Sequence, residues 1–345
     1  MSRVHIKAGI TACGGDLAQN AMQALQCNSD IDFTIHGFDT DANVGSRCVA
    51  DYFHAVPNGA DHGYVSQIRE IIKKEGLDVL LPWSDEEAVA LAPFRDEFLD
   101  YGCKVIVSPQ SVIEVVCDKA LTYDKLSHAG IRTPEYVVAT TPNDIWVAAQ
   151  NFGFPAVSVV VKPSGGRGGR DVHVLLGNDH QPEWLGAGRR EQRVDTKNLE
   201  RVLGSFVEGE RWLVMPCLSS PVYDVDVFCK SGETLGCYVR ERINPAGIPF
   251  AGNILRADSS ITEYVTGIAN VLELDSLHDI DLMTRPGEGP VLLEVNPRPS
   301  GSLAALPALG IPLLEAVLAT NKGVHIDLPI PLSDTVIEIP ERRVV

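Results

Sequence analysis

Short apolar runs alternate with amphipathic segments along the first third of the chain. Four runs have the length of buried strands: residues 3–10, 31–39, 77–83 and 103–108. Between them, YVSQIREIIKKEG (64–76) places its isoleucines on one side of a helix, and EEAVALAPFRDEFLDYG (86–102) reads as another helix. Strands that alternate with helices predict a doubly wound parallel sheet. We expect this α/β unit to occupy residues 1–115.

The pattern changes after this unit. Residues 111–130 read as one helix, and the polar stretch 178–198 shows no clear strand. Strand-like runs then follow one another: 211–218, 223–230, 233–243, 278–286 and 289–296. Residues 302–323 are helical in two pieces that break around Gly310–Pro312, and the tail is extended. Strands that follow each other without helices predict a second architecture.

Composition narrows the class of protein. Apolar residues make up 45% of the 345 residues, as in ordinary globular proteins. No run has the length of a membrane span, and the N-terminus reads as a strand rather than a signal peptide. The net charge of −17 argues against nucleic acid and anionic membranes as partners. The eight cysteines form no CxxC pair, so we expect reduced thiols and a cytoplasmic protein.

A glycine turn follows the first strand. The amides of Gly14, Gly15 and Asp16 would lie at a helix N-terminus, where an anion is favoured. The stretch is not GxGxxG, so a dinucleotide site with Asp39 or Asp41 as ribose-binding acid is the lesser reading. We interpret this glycine turn as a structural connection between strand and helix, and a contact with substrate is the second interpretation.

A lysine and a glycine-rich loop lie between two strands at residues 159–175. Lys162 ends an apolar run and can meet a phosphate oxygen as a point charge. The loop then offers unblocked amides and two arginines that suit phosphate: Ser164, Gly165, Gly166, Arg167, Gly168, Gly169 and Arg170. It is not a Walker loop, and a plain hairpin turn would need fewer of these residues. The sequence therefore predicts a phosphate-binding loop.

Oxygen ligands cluster near the C-terminus. Asp281 lies in one predicted strand, and Glu294 and Asn296 end the next, on one face. This donor set suits Mg²⁺ or Mn²⁺ shared with phosphate oxygens. Arg298 would extend toward the charge that develops on a transferred phosphoryl group. Scattered surface acids are the alternative, but Glu294 follows a run that looks buried.

Two arginines are candidate substrate contacts. Arg240 and Arg242 alternate along one predicted strand and therefore share a face. Arginine forks suit carboxylates, so one of them could hold an acid substrate. Exposed charges on an edge strand are an equal alternative for either residue alone.

These pieces together resemble the ATP-grasp ligases, and more closely the synthetase unit of the carbamoyl phosphate synthase large chain. The stretches VLLPWSDEEAVALA and LLEVNPRPSGSLAALPALGIPLLEAVLA carry the resemblance, which covers nearly the whole chain. It implies a pre-ATP-grasp domain (1–115) and a two-lobed α+β ATP-grasp domain. The N-terminal lobe would occupy 116–216, with the glycine-rich loop, and the C-terminal lobe 217–345, with the metal site.

The resemblance also implies roles for individual residues. Lys119 and Lys162 would contact the ATP phosphates, and Ser164 to Gly169 would close over them. Met215, Cys217 and Leu218 would form the hinge that meets the adenine. Asp224 would bind the ribose. Asp281, Glu294 and Asn296 would hold magnesium, and Arg298 would stabilise the transferred phosphoryl group.

The implied activity is an ATP-dependent ligation of a small carboxylate to an amine through an acyl phosphate, with ATP and Mg²⁺ or Mn²⁺. Homodimers are common in this family. The chain holds one synthetase unit, whereas carbamoyl phosphate synthase repeats the unit, so we do not expect carbamoyl phosphate synthesis. Two other classes stay open: a nucleotide-binding regulatory protein without turnover, and an NAD-dependent oxidoreductase.

Overall fold

A computed structural model describes residues 3–15, 18–28, 30–166, 171–179, 192–195, 198–207, 209–244, 252–285, 287 and 289–337. The first unit is a parallel five-stranded sheet in the order β3-β2-β1-β4-β5. Its strands are β1 (Val4–Ile10), β2 (Ile31–Asp39), β3 (Tyr52–Ala55), β4 (Val79–Leu81) and β5 (Lys104–Val105). Its helices are α1 (Ala18–Gln26), α2 (Tyr64–Glu75), α3 (Asp85–Leu91) and α4 (Arg95–Leu99). The predicted parallel sheet is confirmed.

Two predicted helices are interrupted. The segment 86–102 divides into α3 and α4 around Pro93, because proline lacks the amide hydrogen that a helix interior requires. The segment 111–130 divides into α5 (Gln110–Val116) and α6 (Lys119–His128). Asp118 caps α6 by accepting hydrogen bonds from the amides of Ala120 and Leu121. The cap gives α6 a start of its own at Lys119.

The second sheet contains five strands in the order β6-β10-β7-β8-β9. They are β6 (Val137–Ala139), β7 (Val159–Pro163), β8 (His173–Leu175), β9 (Gln192–Val194) and β10 (Trp212–Pro216), with α7 (Pro142–Asn151) and α8 (Leu199–Leu203). β9 lies in the polar stretch for which no strand was expected, and that expectation was wrong. β9 is an edge strand that pairs with β8 alone, where polar residues are tolerated.

The third sheet contains six antiparallel strands in the order β15-β14-β11-β12-β13-β16. They are β11 (Ser219–Lys230), β12 (Glu233–Arg242), β13 (Asn253–Arg256), β14 (Ser276–Arg285), β15 (Gly289–Asn296) and β16 (Thr335–Ile337), with α9 (Ser259–Leu272) and α10 (Leu313–Ala319). The three sheets lie within 4–105, 137–216 and 219–337, and the domain boundaries near residues 115 and 216 stay predictions.

One continuous apolar core joins the first and third sheets. It includes Leu80 of β4, Val112 and Ile113 of α5, Ile268 of α9 and Leu282 of β14. Because α5 and α6 pack between the sheets, Lys119 at the start of α6 is held against the edge of the third sheet. None of the helices in the described ranges is long and apolar enough to cross a membrane.

Candidate active site

The centre of the third sheet carries polar residues on one face. Strand register forms two rows across β11, β14 and β15: Asp224–Asp281–Glu294 and Asp226–Asp279–Asn296. Alternate residues of a strand share a face, so all six side chains project from the same side. The predicted set Asp281, Glu294 and Asn296 is therefore brought together, with three further acids beside it.

Three of these carboxylates are close enough to share one ion. One oxygen each from Asp224, Asp279 and Asp281 lies within 4.8 Å of the others. Burial, followed by repulsion from Asp224, raises the pKa of Asp279 to about 7. Burial and the neighbouring Asp279 raise the pKa of Asp281 well above its usual range. The arrangement therefore favours protonation or a cation.

Arginines neutralise part of this charge. The Arg242 Nε lies 2.9 Å from both oxygens of Asp224, and a terminal nitrogen lies 3.5 Å from Asp281. Burial alone would raise the pKa of Asp224, but Arg242 holds it below its usual value. The side chain of Arg242 keeps 22% of its surface exposed, so it can still meet a ligand.

Arg240 has a different environment. It shares the face of Arg242, as expected, but its side chain is fully buried. It bonds Asp226 at 2.8 Å and Ser300 at 2.6 Å, and it also donates to Ser302. These contacts fasten the segment after β15 to the sheet. The geometry therefore does not favour Arg240 as a substrate contact, because no donor surface reaches solvent.

Two lysines flank Glu294. Lys119 Nζ lies 3.2 Å from a Glu294 oxygen and donates to the Gly166 carbonyl at 2.6 Å. Lys162, on β7, lies 3.3 Å from both the Tyr123 hydroxyl and the Leu293 carbonyl. Burial alone would raise the pKa of Glu294, but Lys119 and Lys162 hold it below its usual value. Glu294 is therefore an anionic group that pairs with Lys119 and lies near Lys162.

Lys162 is itself an unusual lysine, because only 3% of its surface is exposed. Burial and the nearby charge of Lys119 lower its pKa to about 7, although Glu294 and Asp281 act in the opposite direction. An anion such as a phosphate would restore its full charge. The predicted placement of Lys119 and Lys162 at one site agrees with this geometry.

The start of the glycine-rich loop is fastened to the cap of α6. Gly165 forms an isolated backbone β-bridge with Asp118, and the Ser164 hydroxyl donates to the Asp118 carboxylate. The Ser164 carbonyl accepts from the Lys119 amide at 2.9 Å. Gly166 has a φ of +109°, which side-chain-bearing residues rarely adopt. Gly168, like Arg167, Gly169 and Arg170, lies outside the described residues.

Arg298 joins the first unit to the acidic rows. Its Nε donates to Asp85 at 3.0 Å, and another nitrogen donates to Asp279 at 3.1 Å. A third contact reaches the Asn296 oxygen at 3.3 Å. Asp85 is the first residue of α3 in the first unit. The guanidinium therefore lies where the first domain meets the predicted metal ligands.

A cavity of about 340 Å³ opens at the same place. Its walls combine the first unit with the phosphate-binding side, and they include Asp85, Glu86, Lys119, Gly166, Glu294 and Asn296. Val89 and Val116 add an apolar surface. The size is that of a small-molecule site, and the wall combines polar and apolar side chains.

The predicted hinge lies between β10 and β11. Met215, Leu218 and Val291 form a small apolar cluster with partly buried Val160 and Met283, and this cluster spans the second and third sheets. The Cys217 amide donates to the Ser158 carbonyl at 3.4 Å. Met215, Cys217 and Leu218 therefore lie where the second and third sheets meet, and their role as an adenine-binding hinge stays a prediction.

Asp224 lies away from this hinge. It is in the middle of β11, 3% exposed, and bound to Arg242 beside Asp281. Asp224 therefore belongs to the acidic rows of the third sheet and does not lie beside the hinge residues. The ribose-binding role stays a prediction that the geometry does not favour.

Four participants were missed from the sequence. Asp226 and Asp279 repeat the pattern of Asp224 and Asp281, since YDVDVF and HDIDLM each place aspartates at alternate positions. Tyr123, four residues after Lys119, shares its helix face. Asp85 gave no local signal, because its partner Arg298 lies 213 residues away.

Two family models match the chain. Residues 208–338 match an ATP-grasp family described as acting in the biosynthetic pathway with the Ter operon. Residues 10–106 match the N-terminal domain of a PylC-like family. The first range contains the acidic rows and Arg298, and the second contains Asp85.

Known proteins with similar sequences or folds agree with these matches. The carbamoyl phosphate synthase large chain of Thermomicrobium roseum is 24% identical over 248 residues, which cover 69% of this chain and 21% of that protein. The chain thus spans about a fifth of that relative's length.

Solved structures share the fold at low identity. An N5-carboxyaminoimidazole ribonucleotide synthetase from Thermotoga maritima has a TM-score of 0.64 at 19% identity, covering 96% of this chain and 79% of its own. The biotin carboxylase domain of the Hydrogenobacter thermophilus 2-oxoglutarate carboxylase, in complex with MgADP, ADP and bicarbonate, has a TM-score of 0.67 at 15% identity. It covers 93% of this chain and 70% of its own. These matches confirm the resemblance to the ATP-grasp ligases, with an ATP-grasp match over residues 208–338 and a PylC-like match over residues 10–106, and the shared folds confirm the fold class.

Proposed function

We propose that the protein is an ATP-dependent ligase that joins a small carboxylate to an amine and releases ADP and phosphate. The observation that carries the proposal is the meeting of Lys119 and Lys162 at the end of β15, where Lys119 contacts Glu294 and Lys162 contacts the Leu293 carbonyl, beside the face that holds Asp281 and Asn296. Two cationic groups beside oxygen ligands form a site for a metal-bound polyphosphate. The matching families and neighbours support the same class of enzyme.

The donor set fits a hard divalent cation. Asp281, Glu294 and Asn296 offer carboxylate and amide oxygens, and one buried Asp281 oxygen accepts no hydrogen bond from the residues that the structure describes. We assign these three residues to Mg²⁺ or Mn²⁺. When bound, the cation neutralises triphosphate charge and lets an acidic surface meet ATP.

The roles that we propose for the other site residues follow from where each residue lies. Lys119 and Lys162 bind phosphate oxygens, with Ser164, Gly165, Gly166 and Gly168 closing over them. The hinge cluster holds the adenine, and its apolar side chains suit a flat ring. Arg298, which contacts the cavity residues Asp85 and Asn296, stabilises charge on the transferred phosphoryl group. Arg242 is the stronger candidate for a substrate carboxylate, because Arg240 is enclosed.

The reaction has two steps. A carboxylate oxygen attacks the γ-phosphorus, the bond to the β–γ bridging oxygen breaks, and ADP leaves. The amine nitrogen then attacks the acyl carbon, the bond to phosphate breaks, and the amine loses a proton to solvent. The cavity beside Glu294 and Lys119 would hold the acceptor and exclude water from the acyl phosphate.

A phosphate-release screen tests the proposal. Amino acids and small carboxylates, singly and in pairs, are supplied with ATP and Mg²⁺, and ADP and phosphate are measured. We expect release that requires both an acid and an amine, and that Glu294→Gln abolishes. Asp96→Asn is the matched control, because its side chain is 87% exposed.

Calorimetry supplies the refuting result. If the chain takes up neither ATP nor ADP in the presence of Mg²⁺, the proposal is wrong. Nucleotide uptake without turnover on any pair would instead support a regulatory nucleotide-binding protein. We further propose a homodimer, since the Hydrogenobacter neighbour is described as a dimer; light scattering of the purified chain tests it.

A further inference from the structure

The acidic face holds a second set of oxygen ligands beside the predicted one. Asp224, Asp279 and Asp281 approach one another within 4.8 Å. Only Asp281 belongs to the set assigned to the nucleotide-linked cation. Asp224 lies opposite Asp281 on the neighbouring strand β11, and Asp279 lies two residues before Asp281 on β14. The two sets are therefore adjacent but different in composition.

The second observation is a buried, unsatisfied oxygen on Asp279. Among the described residues, Asp279 Oδ1 has no hydrogen-bond partner, although Asp279 is only 4% exposed. Asp281 Oδ1 also accepts no hydrogen bond from these residues, and Arg242 approaches it only to 3.5 Å. Buried carboxylate oxygens without a partner are costly, and native structures normally satisfy them. Asp279 Oδ2 is already occupied, because it accepts from Asn296 and Arg298. The other oxygen of Asp279 is thus left for a different ligand.

The charges around the trio do not balance. The trio and Asp85 contribute four carboxylates, which are faced by two guanidiniums, Arg242 and Arg298. The nearby Asp226 is paired with Arg240, and Glu294 is paired with Lys119, so neither Arg240 nor Lys119 offsets the charge of the trio. Within the described part of the chain, Lys162 is the remaining nearby cationic group. Two negative charges are left over when Lys162 is neutral and one when it is charged, and one divalent cation would neutralise either excess.

We propose that Asp224, Asp279 and Asp281 bind a divalent cation of the Mg²⁺ or Mn²⁺ type in the absence of nucleotide. Arg242 does not block the site, because a carboxylate has about four lone-pair positions and Asp224 can bind both groups. A cation on Asp279 Oδ1 leaves the Arg298 contact on Oδ2 in place. The ion would therefore fix Arg298 before ATP arrives.

The proposal shares Asp281 with the proposed function but does not depend on nucleotide. In the nucleotide-linked site the cation is completed by phosphate oxygens, so binding should require ATP or ADP. In the site proposed here the protein supplies three carboxylates, so binding should occur without them. This difference separates the two sites in one experiment.

The test is a Mn²⁺ titration of the nucleotide-free chain, followed by the loss of the free-Mn²⁺ electron paramagnetic resonance signal. We expect one bound Mn²⁺ per chain, and further binding when ADP is added. Asp279→Asn should weaken the nucleotide-free site at least about tenfold, whereas Glu294→Gln should leave it within about threefold of the wild type. Mg²⁺ should displace the Mn²⁺.

Several results would overturn the inference. These are the absence of Mn²⁺ binding without nucleotide, and equal loss in Glu294→Gln and Asp279→Asn. If Asp279→Asn does not fold, the count of Mn²⁺ ions on the wild type with and without ADP decides the question alone. ADP uptake without nucleotide-free Mn²⁺ binding would refute this site and leave the proposed function standing. Mn²⁺ binding without any ADP uptake would do the reverse.

Discussion

Replacing Lys162 by methionine should stabilise the nucleotide-free protein. Lys162 is a buried cation, and methionine has nearly the same length without the charge. Its partners survive the change: the Leu293 carbonyl keeps a hydrogen bond of 2.5 Å from the Tyr123 hydroxyl, and Glu294 keeps Lys119 at 3.2 Å. The substitution therefore removes a desolvated charge without leaving another buried group alone.

The magnitude follows from the pKa of Lys162. A fall from the ordinary lysine pKa of 10.5 to about 7 corresponds to about 5 kcal/mol of lost stability when the side chain is charged. Two long hydrogen bonds of about 1 kcal/mol each are lost in the variant, which leaves a gain of about 3 kcal/mol at pH 6.

The gain should depend on pH. Between about pH 7 and pH 10.5 the unfolded chain carries a proton on Lys162 that the folded chain lacks. The stability of the wild type therefore rises with pH through this window relative to the variant. The advantage of Lys162→Met is complete below about pH 7 and should shrink by about 2–3 kcal/mol by pH 9. Other titrating groups are common to both proteins and cancel in the difference.

Urea unfolding at pH 6 and pH 9, followed by tryptophan fluorescence, measures the effect. Trp212 is a suitable reporter, because β10 pairs with β7 beside Lys162. Lys74→Met is the matched control: its side chain is 80% exposed, so we expect a change within about 0.5 kcal/mol. A less stable Lys162→Met at pH 6, or a difference that does not vary with pH, would refute the reasoning. Under the proposed function the same variant should lose affinity for MgADP.

Three further substitutions separate structural from functional roles. Arg240→Ala should lower the free energy of unfolding by about 3–5 kcal/mol, because Asp226 is left buried and unpaired; an effect confined to substrate KM in steady-state kinetics would contradict this. Ser164→Ala removes the contact with the α6 cap and should weaken MgADP binding in calorimetry several-fold with little change in stability; unchanged affinity would count against it. Asp85→Asn should lower kcat by a larger factor than it changes the KM for ATP, because Arg298 loses its charged partner in the first unit. Equal factors in kcat and KM would argue for a wider disruption of the site.

The local parts of the site were predictable from the sequence, and the reasons are physical. Strand periodicity puts Asp281, Glu294 and Asn296 on one face, because side chains alternate along a strand whatever the tertiary context. The same rule placed Arg240 and Arg242 on one face correctly. It could not show that Arg240 is enclosed, since burial depends on the serines that follow β15 and fold back over it. Whether an arginine on this face can contact a substrate therefore could not be predicted from the strand pattern.

Helix boundaries failed for a related reason. Residues 111–130 are apolar enough to read as one helix, but Asp118 is used to cap α6 and to hold Ser164. A cap inside an amphipathic run changes the hydrophobic pattern little. The second role of Asp118 depends on tertiary structure, because Ser164, whose hydroxyl donates to it, lies 46 residues away in the sequence. The interruption that sets Lys119 at a helix start is thus a tertiary feature.

The contact between Asp85 and Arg298 joins the first unit to the acidic residues of the third sheet. Arg298 is held from two sides, by Asp85 of the parallel-sheet unit and by Asp279 of β14. Any shift of the first domain would therefore change the balance between these two carboxylates at the residue proposed to meet the phosphoryl group. The cavity wall also comes from α3 and from the loop at Gly59. Under the proposed function, an acceptor bound there would lie against the helix that begins with Asp85, the residue that pairs with Arg298.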